Sequence, residues 1–304
     1  AEHELNAQEI LELLKEARFK KSIVEAISRP AEAKPWFEYR PIFLTDKRID
    51  GGVEFWRENE ALVAQASEQF GVDPQIIVAI IGVETFYGRI TGGYRVLDAL
   101  ATLSFYYPDT GNDRSDFFSR ELMQFMLLGD EERLPLREVS GSYAGAMGLG
   151  QFMPSSFRRY AVDFDGNGRR DLWNPVDAIG SVANYFSAHG WQKGGEVAVP
   201  ASFSSTGYRS MKTGYKSKHS LGTLRKAGIR PKGSVDSDRV SLLKYSTYDG
   251  DELWLGMHNF YVITRYNHSS KYALAVHQLA QEVKRRHDRL RVAYERGTDS
   301  REAS

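Results

Sequence analysis

Residues 76–89 read IIVAIIGVETFYGR, and this stretch decides the fold prediction because an apolar helix pattern runs into an acidic residue. Asp73 and Pro74, just before it, are typical of a helix start, since Asp caps free N–H groups and Pro needs no donor there. Gly88 is typical of a helix end. Three isoleucines lie seven, four and three positions before Glu84: Ile77, Ile80 and Ile81. Because these positions share one helical face, we predict a helix whose apolar stripe ends at Glu84.

Glu84 is a candidate general acid. A carboxyl group half-buried among isoleucine and aromatic side chains loses hydration, which disfavours its charged form and raises its pKa. Such a carboxyl stays protonated near neutral pH and can donate a proton in catalysis. The alternative is a structural ion pair with Arg89 or Arg95 that joins helices. This stretch alone leaves both interpretations open.

The composition excludes several function classes. The chain has 304 residues, 41% of them hydrophobic, which is enough for two or three domains, or one large domain with an insertion, and for a sizeable core. Forty basic and forty acidic residues give a net charge of zero, and without a long basic run this argues against nucleic acid as a partner. The absence of cysteine excludes disulfides, thiol catalysis and zinc–thiolate sites. The sequence contains no run of about 18 or more apolar residues, so it predicts no membrane-spanning helix.

The hydrophobic spacing predicts a mainly α fold with one β-rich insertion at residues 195–256. Strand patterns there alternate with turns rich in Gly, Ser and Lys. Helical spacing is found at residues 6–28, 50–70, 76–88, 96–107, 115–128, 175–189 and 271–291. We expect residues 30–43 to form an aromatic, proline-bearing loop, whereas residues 258–267 fit a strand or a short helix equally well.

A polar loop beginning at Asp163 has the oxygen spacing of an EF-hand. Asp or Asn stands at loop positions 1, 3 and 5, and Gly168 at position 6 permits the sharp turn. Position 12 is Asn174 instead of a bidentate Glu, and Asp177 is the natural substitute. The candidate calcium ligands are Asp163, Asp165, Asn167, the Arg169 carbonyl and Asp177. The alternative is an unliganded polar turn, which the helical segments on both sides make less favourable.

Residues 141–156 read GSYAGAMGLGQFMPSS and form a glycine-rich strip. Four glycines in ten residues disfavour an ordinary helix and let another backbone or a ligand approach closely. Gln151 could offer its amide to a sugar N-acetyl group, while Phe152, Tyr185 or Tyr266 could offer an aromatic platform, and Ser142 could bond the catalytic carboxylate. Close helix packing through small residues is the alternative interpretation.

A second catalytic carboxylate is not evident from the sequence, although most glycosidases use a pair. Asp98 lies in a helical pattern and is typical of a structural ion pair. Asp109, Asp113 and Asp116 surround a predicted helix start, where acids are favoured by the helix dipole. A single acid fits a reaction without a carboxylate nucleophile.

Five long motifs in the same order resemble those of the family 3 lytic transglycosylases, the group of membrane-bound lytic transglycosylase B and its soluble relatives. They extend over most of the chain and are IIGVET at 80–85, RVLDALATLSF at 95–105, GSYAGAMGLGQFMPSS at 141–156, VDFDGNGRRDLWNPVDAIGSVANYF at 162–186 and ITRYNHS at 263–269. Position 117 is a phenylalanine, whereas a relative has a tyrosine there that faces the groove. Phe117 is therefore not among the candidate site residues.

The resemblance implies a mainly α fold with a lysozyme-like helical core and a small antiparallel β domain. The expected domains are an α domain (1–70 with 270–304), the catalytic core with its EF-hand-type loop (71–194 with 257–269) and the β domain (195–256). It also implies Glu84 as the single catalytic acid and base, oriented by Ser142. The residues that fall where the family lines its glycan groove are Gln151, Phe152, Tyr185, Tyr266, Asn267 and Tyr272.

The resemblance further implies non-hydrolytic cleavage of the β-1,4 bond between N-acetylmuramic acid and N-acetylglucosamine in peptidoglycan, leaving 1,6-anhydromuramic acid ends. Calcium is expected to be structural, and no organic cofactor is expected. Three alternatives remain at this point: a muramidase that hydrolyses the same bond, a non-catalytic glycan-binding protein, and a calcium-regulated interaction protein. The intact set of Glu84, Ser142 and Gln151 argues against the second, and the single non-standard loop argues against the third.

The expected partners are peptidoglycan glycan strands, with no nucleic acid. We expect a periplasmic location in a Gram-negative bacterium, either soluble or attached to the outer membrane through a lipid anchor outside this chain.

Overall fold

The computed structural model describes the backbone of residues 7–302 and the side chains of residues 8–293. The fold is mainly helical with a small antiparallel sheet, which confirms the predicted fold class. The helices are α1 (Ala7–Lys15), α2 (Lys21–Ile27), α3 (Trp36–Phe43), α4 (Asp46–Glu58), α5 (Glu60–Phe70), α6 (Pro74–Thr85), α7 (Val96–Phe105), α8 (Ser115–Glu132), α9 (Pro154–Tyr160), α10 (Pro175–Ala188), α11 (Leu221–Lys226), α12 (His258–Tyr266) and α13 (Ser270–Glu302). The strands are β1 (Tyr94–Arg95), β2 (Ser140–Gly141), β3 (Ala198–Phe203), β4 (His219–Ser220), β5 (Ile229–Pro231), β6 (Arg239–Thr247) and β7 (Gly250–Gly256). None of the described helices is both long and apolar enough to cross a membrane.

The chain forms two compact units. The first unit contains the described residues up to Pro30 together with Glu84–Tyr185, and the second contains Ala31–Val83 with Phe186 onwards. This grouping differs from the three predicted domains, because residues 7–30 do not join the other helices of residues 1–70.

The first unit is built around α7, whose residues from Val96 to Ser104 are all buried. Helices α2 and α8 contact α7, and α9 contacts α8. Long-range hydrogen bonds hold the N-terminal segment here, since Asp98 Oδ1 accepts from the Arg18 N–H (2.8 Å) and Thr102 Oγ1 accepts from the Lys20 N–H (3.1 Å). These bonds explain why residues 7–30 belong to this unit.

The second unit combines an antiparallel sheet with helices α3–α5, α12 and α13. The strand order is β4-β6-β7-β3-β5, and all five strands lie within residues 195–256, the predicted β region. Helix α13 contacts α3, α4 and α12. Its apolar residues include four that are fully buried: Leu274, Val276, Leu279 and Val283.

Four local predictions differ from the structure. The helix predicted at 50–70 is broken at Asn59, whose side-chain amide donates to the Phe55 carbonyl (2.9 Å). The segment expected as a loop at 30–43 contains α3, which begins after the extended Pro35. Helix α8 continues past Gly129 to Glu132. The segment left open between strand and short helix forms a helix, α12, which agrees with one of the two predicted alternatives. Asp73 does not cap α6, because its carboxylate accepts from the Trp191 indole N–H (2.9 Å) and the Gly194 N–H.

Candidate active site and cation loop

Glu84 is half-buried and lies in the last turn of α6. The three isoleucines of the predicted stripe, Ile77, Ile80 and Ile81, are fully buried. The sequence pattern therefore placed the acid correctly at the end of a buried helix.

The chain leaves α6 through a left-handed turn that sequence reasoning did not predict. Phe86, Tyr87 and Gly88 have φ values of 52°, 60° and 83°. Left-handed conformations cost a non-glycine residue of the order of 1–3 kcal/mol, and they cluster at functional sites. Only Gly88 signalled the turn in the sequence. The Ile90 N–H closes it by donating to the Thr85 carbonyl (2.9 Å).

The glycine-rich strip permits the close backbone approach that its composition predicts. A Cβ on Gly148 would lie 2.5 Å from the Leu172 carbonyl oxygen, and a Cβ on Gly92 would lie 2.1 Å from the Gly141 carbonyl oxygen. Strands β1 and β2 pair at this point, with Tyr94 opposite Gly141. These glycines are therefore required by packing.

Ser142 follows β2 and is half-buried. Its Oγ accepts hydrogen bonds from the N–H groups of Ala144 (3.2 Å) and Ala146 (3.0 Å). A serine hydroxyl that accepts two bonds still has its own proton to donate. A carboxylate can only accept, so this arrangement suits the predicted role of Ser142, which stays a prediction.

Gln151 is half-buried and left-handed, with φ 53°. Its Nε2 donates to the backbone carbonyls of Thr91 (3.1 Å) and Gly148 (2.9 Å). Both amide protons are thus used within the protein, and the expected donation to a substrate is corrected. The carbonyl Oε1 is the atom that remains to accept from a ligand N–H or hydroxyl.

Phe152 and Tyr185 are more buried than an open aromatic platform requires. Their side chains are 2% and 8% exposed, and their ring centroids lie 5.8 Å apart. Tyr185 also meets Tyr160 edge-to-face. With so little exposed area, neither ring can present a whole face to a sugar.

The remaining predicted groove residues belong to the second unit. Tyr266 is half-buried, and its ring stacks on Phe186 at 5.6 Å with an interplanar angle of 9°. Asn267 donates from Nδ2 to Glu32 Oε1 (3.1 Å), while Tyr272 is only 3% exposed. Among the four aromatic residues predicted to line the groove, only Tyr266 is not buried.

The loop after α9 brings three carboxylates together. Asp163, Asp165 and Asp177 each offer an oxygen, and these atoms lie within 4.8 Å of one another. Asp177 is fully buried in α10, where its oxygens accept from the N–H groups of Phe164 (2.8 Å) and Asp171 (2.7 Å). An all-oxygen donor set of this kind fits a hard divalent cation.

The carboxylates of the loop differ in electrostatic environment. Burial raises the pKa of Asp177, and the negative charges of Asp165 and Asp163 raise it further. For Asp163, burial acts to raise the pKa, but backbone hydrogen bonds from Gly168 and Asn167 lower it overall. A cation among these groups would offset their mutual repulsion.

The rest of the loop is ordered by short-range bonds and by an ion pair. Asn167 Oδ1 accepts from the Arg169 N–H (2.9 Å), as in an Asx-turn. The Arg170 guanidinium donates through Nε to Glu132 at the end of α8 (2.6 Å), and Glu132 also accepts from the Arg170 N–H (3.1 Å). The loop is therefore fixed to α8 without using the candidate ligands.

Asp98, the nearest acid in sequence that could pair with Glu84, is engaged elsewhere. It is 4% exposed, and its Oδ1 accepts from the Arg95 guanidinium (2.5 Å) as well as from the Arg18 N–H. This confirms its interpretation as a structural ion-pair residue.

The fold and the half-buried glutamate at the end of a buried helix define a lysozyme-like lytic transglycosylase. The family model of the Transglycosylase SLT domain matches residues 1–281. The chain belongs to this family, which confirms the resemblance found in its motifs.

Three relatives illustrate the match. The membrane-bound lytic murein transglycosylase B of Escherichia coli K12 is 46% identical over 292 residues, which cover 92% of this chain and 79% of the relative. Two structures of E. coli lytic transglycosylase SLT35, one in complex with bulgecin A and one with calcium, are 45% identical, with TM-scores of 0.86 and 0.85. They cover 94% of this chain and 90% and 89% of SLT35. SltB1 of Pseudomonas aeruginosa is 49% identical, with a TM-score of 0.84 over 92% of this chain and 94% of SltB1.

Proposed function

We propose that this protein is a peptidoglycan lytic transglycosylase in which Glu84 alone performs the proton transfers. It cleaves the β-1,4 bond between N-acetylmuramic acid and N-acetylglucosamine without water and leaves a 1,6-anhydromuramic acid end. The observation that carries the proposal is the half-buried position of Glu84 at the end of α6, beside the left-handed turn, in a chain of this family.

The reaction uses one carboxyl group twice. Glu84 starts protonated and gives its proton to the oxygen of the leaving sugar. The muramoyl C1 gains oxocarbenium character, which the N-acetyl group of the same sugar stabilises. Glu84, now a carboxylate, takes the proton of the C6 hydroxyl, and that oxygen bonds to C1 and closes the anhydro ring. The proton count balances, and no water is consumed.

The predicted groove residues act as substrate contacts in this proposal. Ser142 donates its hydroxyl proton to the Glu84 carboxylate, and Gln151 accepts from the substrate through Oε1. Tyr266 and Asn267 contact sugar rings, and Tyr272, Phe152 and Tyr185 contribute edges. Support for these roles comes from the motif positions. For Ser142 and Gln151, further support comes from the hydroxyl proton and the Oε1 atom, which their internal hydrogen bonds do not use.

We also infer that the loop binds Ca²⁺ structurally. Asp163, Asp165, Asn167 and Asp177 supply side-chain oxygens, and Arg169 supplies its carbonyl. Two observations support this: the three carboxylates converge, and SLT35 has been solved with calcium. A bound cation would neutralise charge in the loop, and no step of the reaction passes through it.

The proposed location is the bacterial periplasm, in association with the envelope. The name of the E. coli relative, a membrane-bound murein enzyme, supports this location. A lipid anchor outside this chain would give a membrane-attached form, and its absence a soluble one.

The function is tested by Glu84→Gln, which keeps the shape of the side chain but can neither give nor accept the proton. General acid–base assistance is typically worth ~10²–10⁴-fold, so losing both roles should reduce cleavage of purified peptidoglycan by at least ~10³-fold. Glu138→Gln is the matched control, because it changes an exposed glutamate of the same unit and should stay active. Near-normal activity of folded Glu84→Gln would reject Glu84 as the acid.

A further inference from the structure

Thr85, the residue after Glu84, has a buried hydroxyl group with two defined partners. The residue is 1% exposed. Its Oγ1 donates to the Leu149 carbonyl oxygen at 2.9 Å and accepts from the Gly88 N–H at 3.0 Å. A single hydroxyl therefore connects the end of α6 to the glycine-rich strip, which is 64 residues away in the chain, and to the left-handed turn.

Both partners of this hydroxyl are themselves held in place. The Leu149 N–H donates to the Leu172 carbonyl oxygen (2.8 Å), and Gly148 lies directly against Leu172. Gly88 lies beside the Leu149 side chain, since a Cβ on Gly88 would be in van der Waals contact with the Leu149 Cγ at 3.4 Å. Thr85 is thus hydrogen-bonded to backbone groups of residues that make further contacts within the first unit.

The end of a helix is otherwise its least constrained part, because the last carbonyl groups have no intrahelical partner. Here the chain also turns left-handed directly after Thr85, which costs free energy and must be stabilised by surrounding contacts. A change in the position of Thr85 moves the Glu84 backbone, since the two residues share a peptide bond. A displacement of about 1 Å in an acid or base can cost ~10²-fold in rate.

We propose that Thr85 is a positioning residue for the reaction and that its hydroxyl holds the Glu84 carboxyl group at the scissile bond. This inference rests on the proposed role of Glu84. Thr85 touches no substrate; it acts only through the geometry of the helix end and of the turn. Its contribution belongs to the chemical step and not to binding of the glycan.

The test compares three variants by steady-state kinetics on a soluble, defined peptidoglycan glycan. Thr85→Val removes the hydroxyl at nearly constant volume, and Thr85→Ser restores it. Thr102→Val is the matched control, because Thr102 is also 1% exposed in the first unit and its hydroxyl also bonds to backbone, at Lys20. Melting temperatures of all variants report the structural cost of each lost bond.

We expect Thr85→Val to lower kcat by ~10- to 100-fold with an unchanged KM. Thr85→Ser should stay within about threefold of wild type, and Thr102→Val should keep its kcat although it loses a similar amount of thermal stability. If Thr85→Val does not fold, Thr85→Ala, which removes the hydroxyl without burying a methyl group against a carbonyl, carries the same expectation.

Equal kcat for Thr85→Val and Thr102→Val would overturn the proposal, as would a loss confined to KM. Failure of Thr85→Ser to restore kcat would also overturn it, because packing and not the hydroxyl would then be responsible. The role of Glu84 is tested separately by Glu84→Gln, so an inactive Glu84→Gln beside a fully active Thr85→Val rejects only the role of Thr85.

Discussion

Gln151 adopts a φ of 53° although a Cβ makes this conformation unfavourable. The structure keeps it there through two bonds from Nε2 to the backbone of Thr91 and Gly148. Those bonds orient Oε1, the atom that we assign to the substrate. At this residue, the strain of the backbone and the proposed binding role are therefore coupled.

This coupling can be tested with Gln151→Ala and Gln151→Gly. Both remove the amide, so both should lower cleavage of peptidoglycan to a similar extent. Gln151→Ala should lose about 1–2 kcal/mol of unfolding free energy with the two hydrogen bonds, whereas Gln151→Gly should be about 1 kcal/mol more stable than the alanine variant. Denaturant unfolding and turnover assays measure the two effects. Full activity in both variants would show that Gln151 only supports the backbone.

His277 gives a pH dependence that is independent of the active site. It lies in α13 at 5% exposure, edge-on to Trp254, and its Nδ1 has no hydrogen-bond partner among the described residues. Burial lowers its pKa from 6.5 to about 4, and a backbone hydrogen bond with Ala198 opposes this only in part. The neutral ring is thus the form that the folded protein prefers.

Because the folded pKa is lower than the unfolded pKa, the unfolded chain binds the extra proton between these values. The stabilisation is complete above pH 6.5 and is lost as the pH falls towards 4. By pH 5 the loss should be about 2 kcal/mol. Between pH 7 and pH 5, the unfolding free energy of His277→Gln should fall by about 2 kcal/mol less than that of wild type. His219→Gln, which changes a histidine outside the core, is the control and should behave as wild type does. An identical pH dependence in wild type and His277→Gln would contradict this account.

Some site residues were predictable from local sequence and others were not. Glu84 was, because a 3.6-residue spacing shows which helix face is apolar. The role of Thr85 was not, because its partner Leu149 is distant in sequence. The burial of Phe152 was also missed, since an aromatic residue beside glycines fits a platform and a core equally well.

At the scale of elements, the loop from Asp163 to Asp177 is the part whose sequence was most informative. EF-hand spacing is a local pattern, and the carboxylates that it marks do converge in space. The anchoring of this loop by Arg170 and Glu132 was not predicted, because it depends on how α8 is positioned.

Calcium should therefore stabilise the folded protein. Extracellular calcium sites have dissociation constants of ~10⁻⁴–10⁻³ M, so calcium at ~10 mM lies about 10- to 100-fold above the constant and adds about 1.4–2.7 kcal/mol. The melting temperature should rise by several degrees in ~10 mM calcium for wild type and for Asp236→Ala, an exposed control outside the loop. Asp163→Ala should not respond. A wild type that melts at the same temperature with and without calcium would rule out the site.

At the scale of the whole molecule, composition and periodicity predicted the mainly α class and the β-rich region, because both depend on local patterns. They did not predict the two compact units. Residues 7–30 join the first unit through hydrogen bonds to Asp98 and Thr102, 80 and 82 positions further on, and no local pattern encodes these pairs.

Transglycosylation and hydrolysis are two reactions that the same molecule could perform, because both require the same fold, cleave the same bond and need an acid in the same place. They differ only in what attacks the muramoyl C1: the substrate's own C6 hydroxyl or a water molecule.

Mass spectrometry of the fragments released from purified peptidoglycan by the wild-type protein tests this difference most directly. Our account predicts fragments with 1,6-anhydromuramic acid ends, each lighter than the hydrolysed fragment by one water, about 18 Da. Digestion of the same material with a muramidase provides the heavier reference masses. Fragments from this protein that carry the added water would contradict the account and make it a hydrolase.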